Sequence, residues 1–110
     1  MSHRILQING LIREHLGNIF LREVSFKVGT LVTITKVDTS ADLRHSRILV
    51  SVFPETESVY ALKTLEHEKG AIQKALHRKL HMKPLPVISF HCDPTGENAD
   101  IIEKLLIELR

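Results

Sequence analysis

Aromatic residues are scarce in this chain, five among 110 positions. That argues against the RNA-binding modules that read bases by stacking them on rows of Phe, Tyr or Trp. Cys92 is the single cysteine, which excludes an intrachain disulfide and suits a reducing compartment. No stretch approaches the roughly 18 consecutive apolar residues of a membrane span, and the opening "MSHRILQINGLIREHL" lacks the continuous apolar run of a signal peptide. The expectation is a soluble, unexported, cytoplasmic protein. A glycine-rich phosphate loop, a paired-carboxylate motif, a C-x-x-C pair and an H-E-x-x-H pattern are all missing, so no motif points to an enzyme.

What the chain does have is a normal globular balance, 43% apolar and 25% charged. Residues 1–110 are expected to form one domain with a real core. The net charge of +2 and the pI of about 8.9 are too mild to identify a partner, so the distribution of charge has to decide. Residues 1–54 carry seven basic and four acidic side chains, and residues 55–110 carry eight and nine. Between Ala71 and Lys83, however, there are four basic residues and no acid.

Ile5, Ile8, Ile12, Leu16 and Ile19 recur at steps of three and four, which predicts an amphipathic helix over about residues 3 to 22, with Ser2 as its N-cap. Past Gly29, "TLVTITKV" and "RILVSVF" are rich in β-branched residues and read as two strands. The polar segment between them contains no Asn-Gly or Asp-Gly, so the hairpin loop should exceed two residues. Pro54 ends the second strand, and Glu55 to Glu57 suit a helix start. A helix to Gly70 is expected, then a second one to about Met82, stopped by Pro84 and Pro86. "VISFHCD" is a third strand, and the apolar residues from Ile101 to Leu109 predict a terminal helix. The order α-β-β-α-α-β-α implies an α+β domain, with helices on one face of a three-stranded sheet and the other face open to a partner.

The run "EHEKGAIQKALHRKLHMK", from Glu66 to Lys83, contains the most informative feature. With Ile72 at zero and about 100° per residue, Leu76 and Leu80 fall within the next ~80°, a narrow apolar stripe. Lys74, His77, Arg78 and His81 fall at about 140° to 240°, and Lys79 lies beside the stripe, from which it must extend its charge outward. Exposed helices usually mix signs in i,i+4 pairs, and this face has no acid to do so. It is a candidate phosphate-contacting face, and Lys83, just past the expected helix end, is a further RNA-contact candidate. The bland alternative is a solvated helix surface.

Seven histidines raise the question of metal. His77 and His81 share a face and His91 adjoins Cys92, but Arg78 and Lys79 lie between the first pair and repel a cation. Neither zinc nor another cofactor is expected. His91, Cys92 and Asp93 are neighbours on a strand, where successive side chains alternate faces, so they do not make a nucleophile-base pair.

The segment "LVTITKVDTSADLRHSRILVSVF" (Leu31 to Phe53), with "EKGAIQKAL", "LPVISFHCD" and the apolar C-terminal run, resembles the ribosome-binding factor A family over nearly the whole chain. The resemblance implies a KH-like domain of type II with a helix-kink-helix in place of the GXXG loop that clamps nucleotides in RNA-binding KH domains. The family's Ala-x-Gly kink falls on Glu68, Lys69 and Gly70. Glu68 stands where the family has alanine, and its negative charge moves the expected RNA contact along to the following helix. The resemblance further implies a monomeric, non-catalytic factor that binds the immature 30S subunit and its 16S rRNA near the decoding region. It would assist late maturation and rRNA end processing, including in cold adaptation, with an assembly GTPase as a partner in release. Arg44 and Arg47, flanking the hairpin, are secondary RNA-contact candidates. The competing class is a protein-interaction adaptor of similar fold that uses its sheet face or first helix.

Overall fold

The computed structural model describes residues 3–82 and 85–94. Helix α1 spans His3–Glu23 and buries Ile8, Ile12, Leu16, Ile19 and Phe20, the stripe its periodicity predicts. After it, the turn from Lys27 to Thr30 is closed by a 3.1 Å hydrogen bond from the Thr30 N–H to the Lys27 carbonyl. Gly29 sits there at φ +91°, a conformation that costs glycine little and other residues more.

Strands β1 (Leu31–Thr39) and β2 (His45–Phe53) form the expected antiparallel hairpin. Strand β3 (Val87–Cys92) pairs parallel to β2, so β2 is the centre of a β1-β2-β3 sheet. Pairing shifts register between Ile34 and Lys36, leaving Thr35 as an extra, bulged residue. The bulge explains why Ile34 and Val37, three apart, are both buried where strict alternation requires an even spacing. It also aims the Thr35 hydroxyl at Oδ2 of the buried Asp93, 2.7 Å away, which ties the end of β3 across the sheet.

Both helices lie on the face formed by Ile48, Val50 and Val52, and one cluster unites these residues with the buried stripes of α1 and the second helix. Polar contacts fix α1 in place. Thr39 donates to Oδ1 of Asn9 at 2.6 Å, so Ser46, 2.8 Å from the same Thr39 hydroxyl and fully buried, must be the donor in their contact. Arg13 adds a 3.2 Å bond to the Ile34 carbonyl.

A short 3-10 turn at Glu55–Glu57 leads into α2, Ser58–Lys79, which runs 22 residues without interruption. This corrects the expectation of two helices with a break at Gly70. Ala61, Leu65, Ile72 and Leu76 stay within about 60° of one another at 100° per residue, and all four are fully buried. One continuous helix thus buries both halves of the stripe against one core, which outweighs the ~1 kcal/mol that glycine costs inside a helix. Helix α2 gives way to extended backbone at Leu80, short of the expected end at Met82. The expected Ser2 cap, Pro84 and the C-terminal helix lie outside the described residues.

Gln73 joins α2 to β3. Its side-chain N–H donates to the Pro86 carbonyl at 3.1 Å and its oxygen accepts from the Ile88 N–H at 3.0 Å. These bonds satisfy backbone groups at the sheet edge that would otherwise lack strand partners. Gln73→Ala strands both and should lower unfolding free energy by about 1–3 kcal/mol, measured by urea denaturation. Gly70→Ala should do the opposite. An added Cβ meets nothing within 4 Å and the backbone is not left-handed, so stability should rise by about 0.5–1 kcal/mol. A loss would mean that the glycine relieves a real bend.

Candidate nucleic-acid interface

The last two turns of α2 divide sharply. Ile72, Ala75, Leu76 and Leu80 face the core, while Lys74, His77, Arg78, Lys79 and His81 are all exposed. No carboxylate lies within salt-bridge distance of Lys74, Arg78 or Lys79 among the described residues. The cations nearby are engaged differently. Lys69 approaches Glu66 at 3.8 Å, and Lys27 pairs with Glu57 at 2.6 Å while lying 4.9 Å from the centre of the Tyr60 ring.

Cations at a helix C-terminus are favoured by the helix dipole, by about 0.3–1 kcal/mol each. That accounts for His77, Arg78 and Lys79 in the last turn. It does not account for Lys74, more than a turn earlier; Arg22, in the last turn of α1, has the same dipole reason, and the fold brings it to this surface. A groove of about 390 Å³ runs between the two helices, and Arg22 and His15 on one wall face Arg78 and Lys79 on the other. His15 and Arg22 were not among the residues expected at the site. The available signal was the set 15, 18, 19 and 22, which recurs on one face of a helix, but only the packing shows which neighbour that face meets.

The expected kink residues lie within the unbroken helix. Glu68 and Lys69 are half-buried, Gly70 is exposed in mid-helix, and Glu68 Oε1 lies 3.4 Å from His67 Nδ1. Close side-chain contacts thus occupy 66–69, and cations with no carboxylate in reach among the described residues begin at Lys74.

The two hairpin arginines are separated. Arg44 lies where the hairpin meets β3, since its carbonyl accepts from the Val87 N–H at 2.9 Å, at the end of the sheet reached by the chain leaving α2. Arg47 is exposed on the face away from the helices, opposite Asp38 on β1 and level with Ser89 on β3. It cannot share a flat contact with the α2 face. Lys83 lies outside the described residues.

Asp42 organises the hairpin turn. Its carboxylate accepts from the Ser40 hydroxyl at 2.6 Å and the Arg44 N–H at 3.0 Å, and Leu43 beside it adopts φ +62°. These two hydrogen bonds, with the nearby Arg44 and His45 charges, hold its pKa below the ordinary 3.8. The carboxylate is fully exposed, so the effect is local. Among the described residues, no group of three or more His, Cys, Asp or Glu is placed to hold a metal ion.

A mixed three-stranded sheet with two helices on one face, and a cationic helix end opening on an interhelical groove, defines a small α+β domain with a cationic surface. A protein-family model described as ribosome-binding factor A matches residues 4–106. Ribosome-binding factor A from Chlamydia felis is 35% identical over 99% of this chain and 93% of its own. The crystal structure of ribosome-binding factor A from Thermus thermophilus superposes with a TM-score of 0.69 at 23% identity, covering 80% of this chain and 94% of that one. A homology model of the Thermus thermophilus factor, fitted into a cryo-EM map of a 30S complex, superposes with a TM-score of 0.63 at 23% identity, covering 87% and 98%. The chain belongs to the ribosome-binding factor A family.

The shifted pKa of Asp42 gives a pH test. Because the folded value is lowered, its stabilisation is complete above the unfolded value and is lost as pH falls through the folded one. Asp42→Asn does not titrate, so the stability difference between wild type and variant should shrink towards zero below pH ~3.8. Hydrogen exchange at the Arg44 amide should follow the same course.

Proposed function

We propose that this chain binds the small ribosomal subunit through rRNA phosphates, using the basic face of α2 and the groove that α1 completes. One observation carries the reading: positive charge from Arg78 and Lys79 converges at the groove with Arg22 from the other helix, and Lys74 is exposed on the same helix, with Lys74, Arg78 and Lys79 unpaired among the described residues. Phosphate contacts by such groups gain from counterion release. The family relationship supplies the partner, since a homology model of the Thermus relative was fitted into a map of its 30S complex.

On the same basis we assign the domain to the KH-like type II class, with one unbroken helix between the second and third strands. The action is non-catalytic. Binding energy favours one arrangement of immature 16S rRNA over another, a population shift that assists late maturation and end processing. A monomeric, cytoplasmic factor with an assembly GTPase acting in release completes the reading. No described helix is long and apolar enough to cross a membrane.

A second reading has its own observation. Leu31, Phe53 and Val87 are more than half exposed, on the sheet face away from the helices, which suits a protein-interaction adaptor. Sedimentation separates the two. Wild type should travel with free small subunits in a salt-sensitive manner, whereas an adaptor stays in light fractions with its protein partner. The double reversal Lys74→Glu, Arg78→Glu should weaken subunit binding and flatten the slope of log K against log salt by about 2. Unchanged affinity and slope would overturn the RNA assignment.

A further inference from the structure

We propose, resting on the rRNA-binding reading above, that the groove between α1 and α2 receives one unstacked nucleotide, its base inward and its phosphate on the rim. The volume of about 390 Å³ is in the range of small-ligand sites, about 300–1,000 Å³. Its floor includes Ile19 and Ala75, both buried and apolar, the kind of surface that accepts the face of any base. Asn18, exposed on the α1 wall, offers both a donor and an acceptor to a base edge, and the half-buried His15 ring beside it can stack.

The rim chooses the ligand class. Arg22 comes from one wall, and Arg78 and Lys79 from the other, against a single carboxylate, Glu23. Three fixed positive charges around one negative leave a net attraction for a phosphate diester bridging the two helices. Two planar guanidinium groups also supply the forked donors that phosphate oxygens accept. Glu23 is an acceptor; base N–H groups can donate to it, and so can the ribose 2′-hydroxyl, which DNA lacks. That last contact would favour RNA over DNA. A flat basic face would attract a duplex backbone equally well along its length. A groove with an apolar floor and a charged rim instead selects a nucleotide already out of its stack, as in single-stranded or unfinished rRNA.

The test fills the groove without altering charge. Asn18→Trp in the full chain, with folding checked by thermal unfolding, should bind free small subunits about tenfold more weakly than wild type, the scale of one lost stacked base. Wild-type affinity in this variant would overturn the groove assignment while leaving subunit binding by the basic face intact. Wild-type protein that fails to sediment with subunits would instead overturn the reading on which this one rests. A charge-matched pair covers the case in which the tryptophan disturbs packing. Arg22→Gln should weaken binding severalfold, and Arg4→Gln, at the far end of the same helix, should not. Equal losses would overturn the proposal, as would loss of a protein partner by Asn18→Trp with subunit binding retained, which would mark the groove as a site for an acidic peptide.

Discussion

The rest of the molecule depends on one row of side chains. Ile48, Val50 and Val52 on the central strand are at most 1% exposed, and both helices rest on them. Burying a side chain of this size stabilises by about 1.5–3 kcal/mol, and three in a row on the middle strand define the plane against which every other element is oriented. Because β2 pairs antiparallel on one side and parallel on the other, the connection to β3 must cross the sheet. Helix α2 is that crossover, and the crossover requirement carries its basic C-terminus to the end of the sheet where the hairpin turns.

The same constraint explains why α2 is continuous. A helix that bent at Gly70 would turn one half of its apolar stripe away from this row. The buried positions before and after the glycine are in phase, so the unbroken helix satisfies both. Gly70 lies on the exposed side of this helix. The cationic surface beyond it is oriented by the burial of Ile72, Ala75 and Leu76 opposite, and this backing gives the surface a defined shape.

The polar contacts show the same economy. Asn9, Thr39 and Ser46 share a chain of hydrogen bonds between α1 and the sheet, and Gln73 fastens α2 to the edge strand. These side chains hold the two helices at the separation that leaves the groove between them. The groove is therefore set by interactions remote from the charges on its rim.

Much of this was legible in the sequence, because helical and strand periodicities are local properties. The stripe of α1, the β-branched strands and the acid-free run from Ala71 to Lys83 could all be read without a fold. The bulge at Thr35 was visible only as an odd spacing between Ile34 and Val37. Three things needed the tertiary structure: the continuity of α2 through Gly70, the meeting of Arg22 with Arg78 and Lys79, and the removal of Arg47 to the opposite face. Each depends on which surfaces share a core. Local sequence determines which residues line a face, but strand pairing and burial across the chain determine what that face meets.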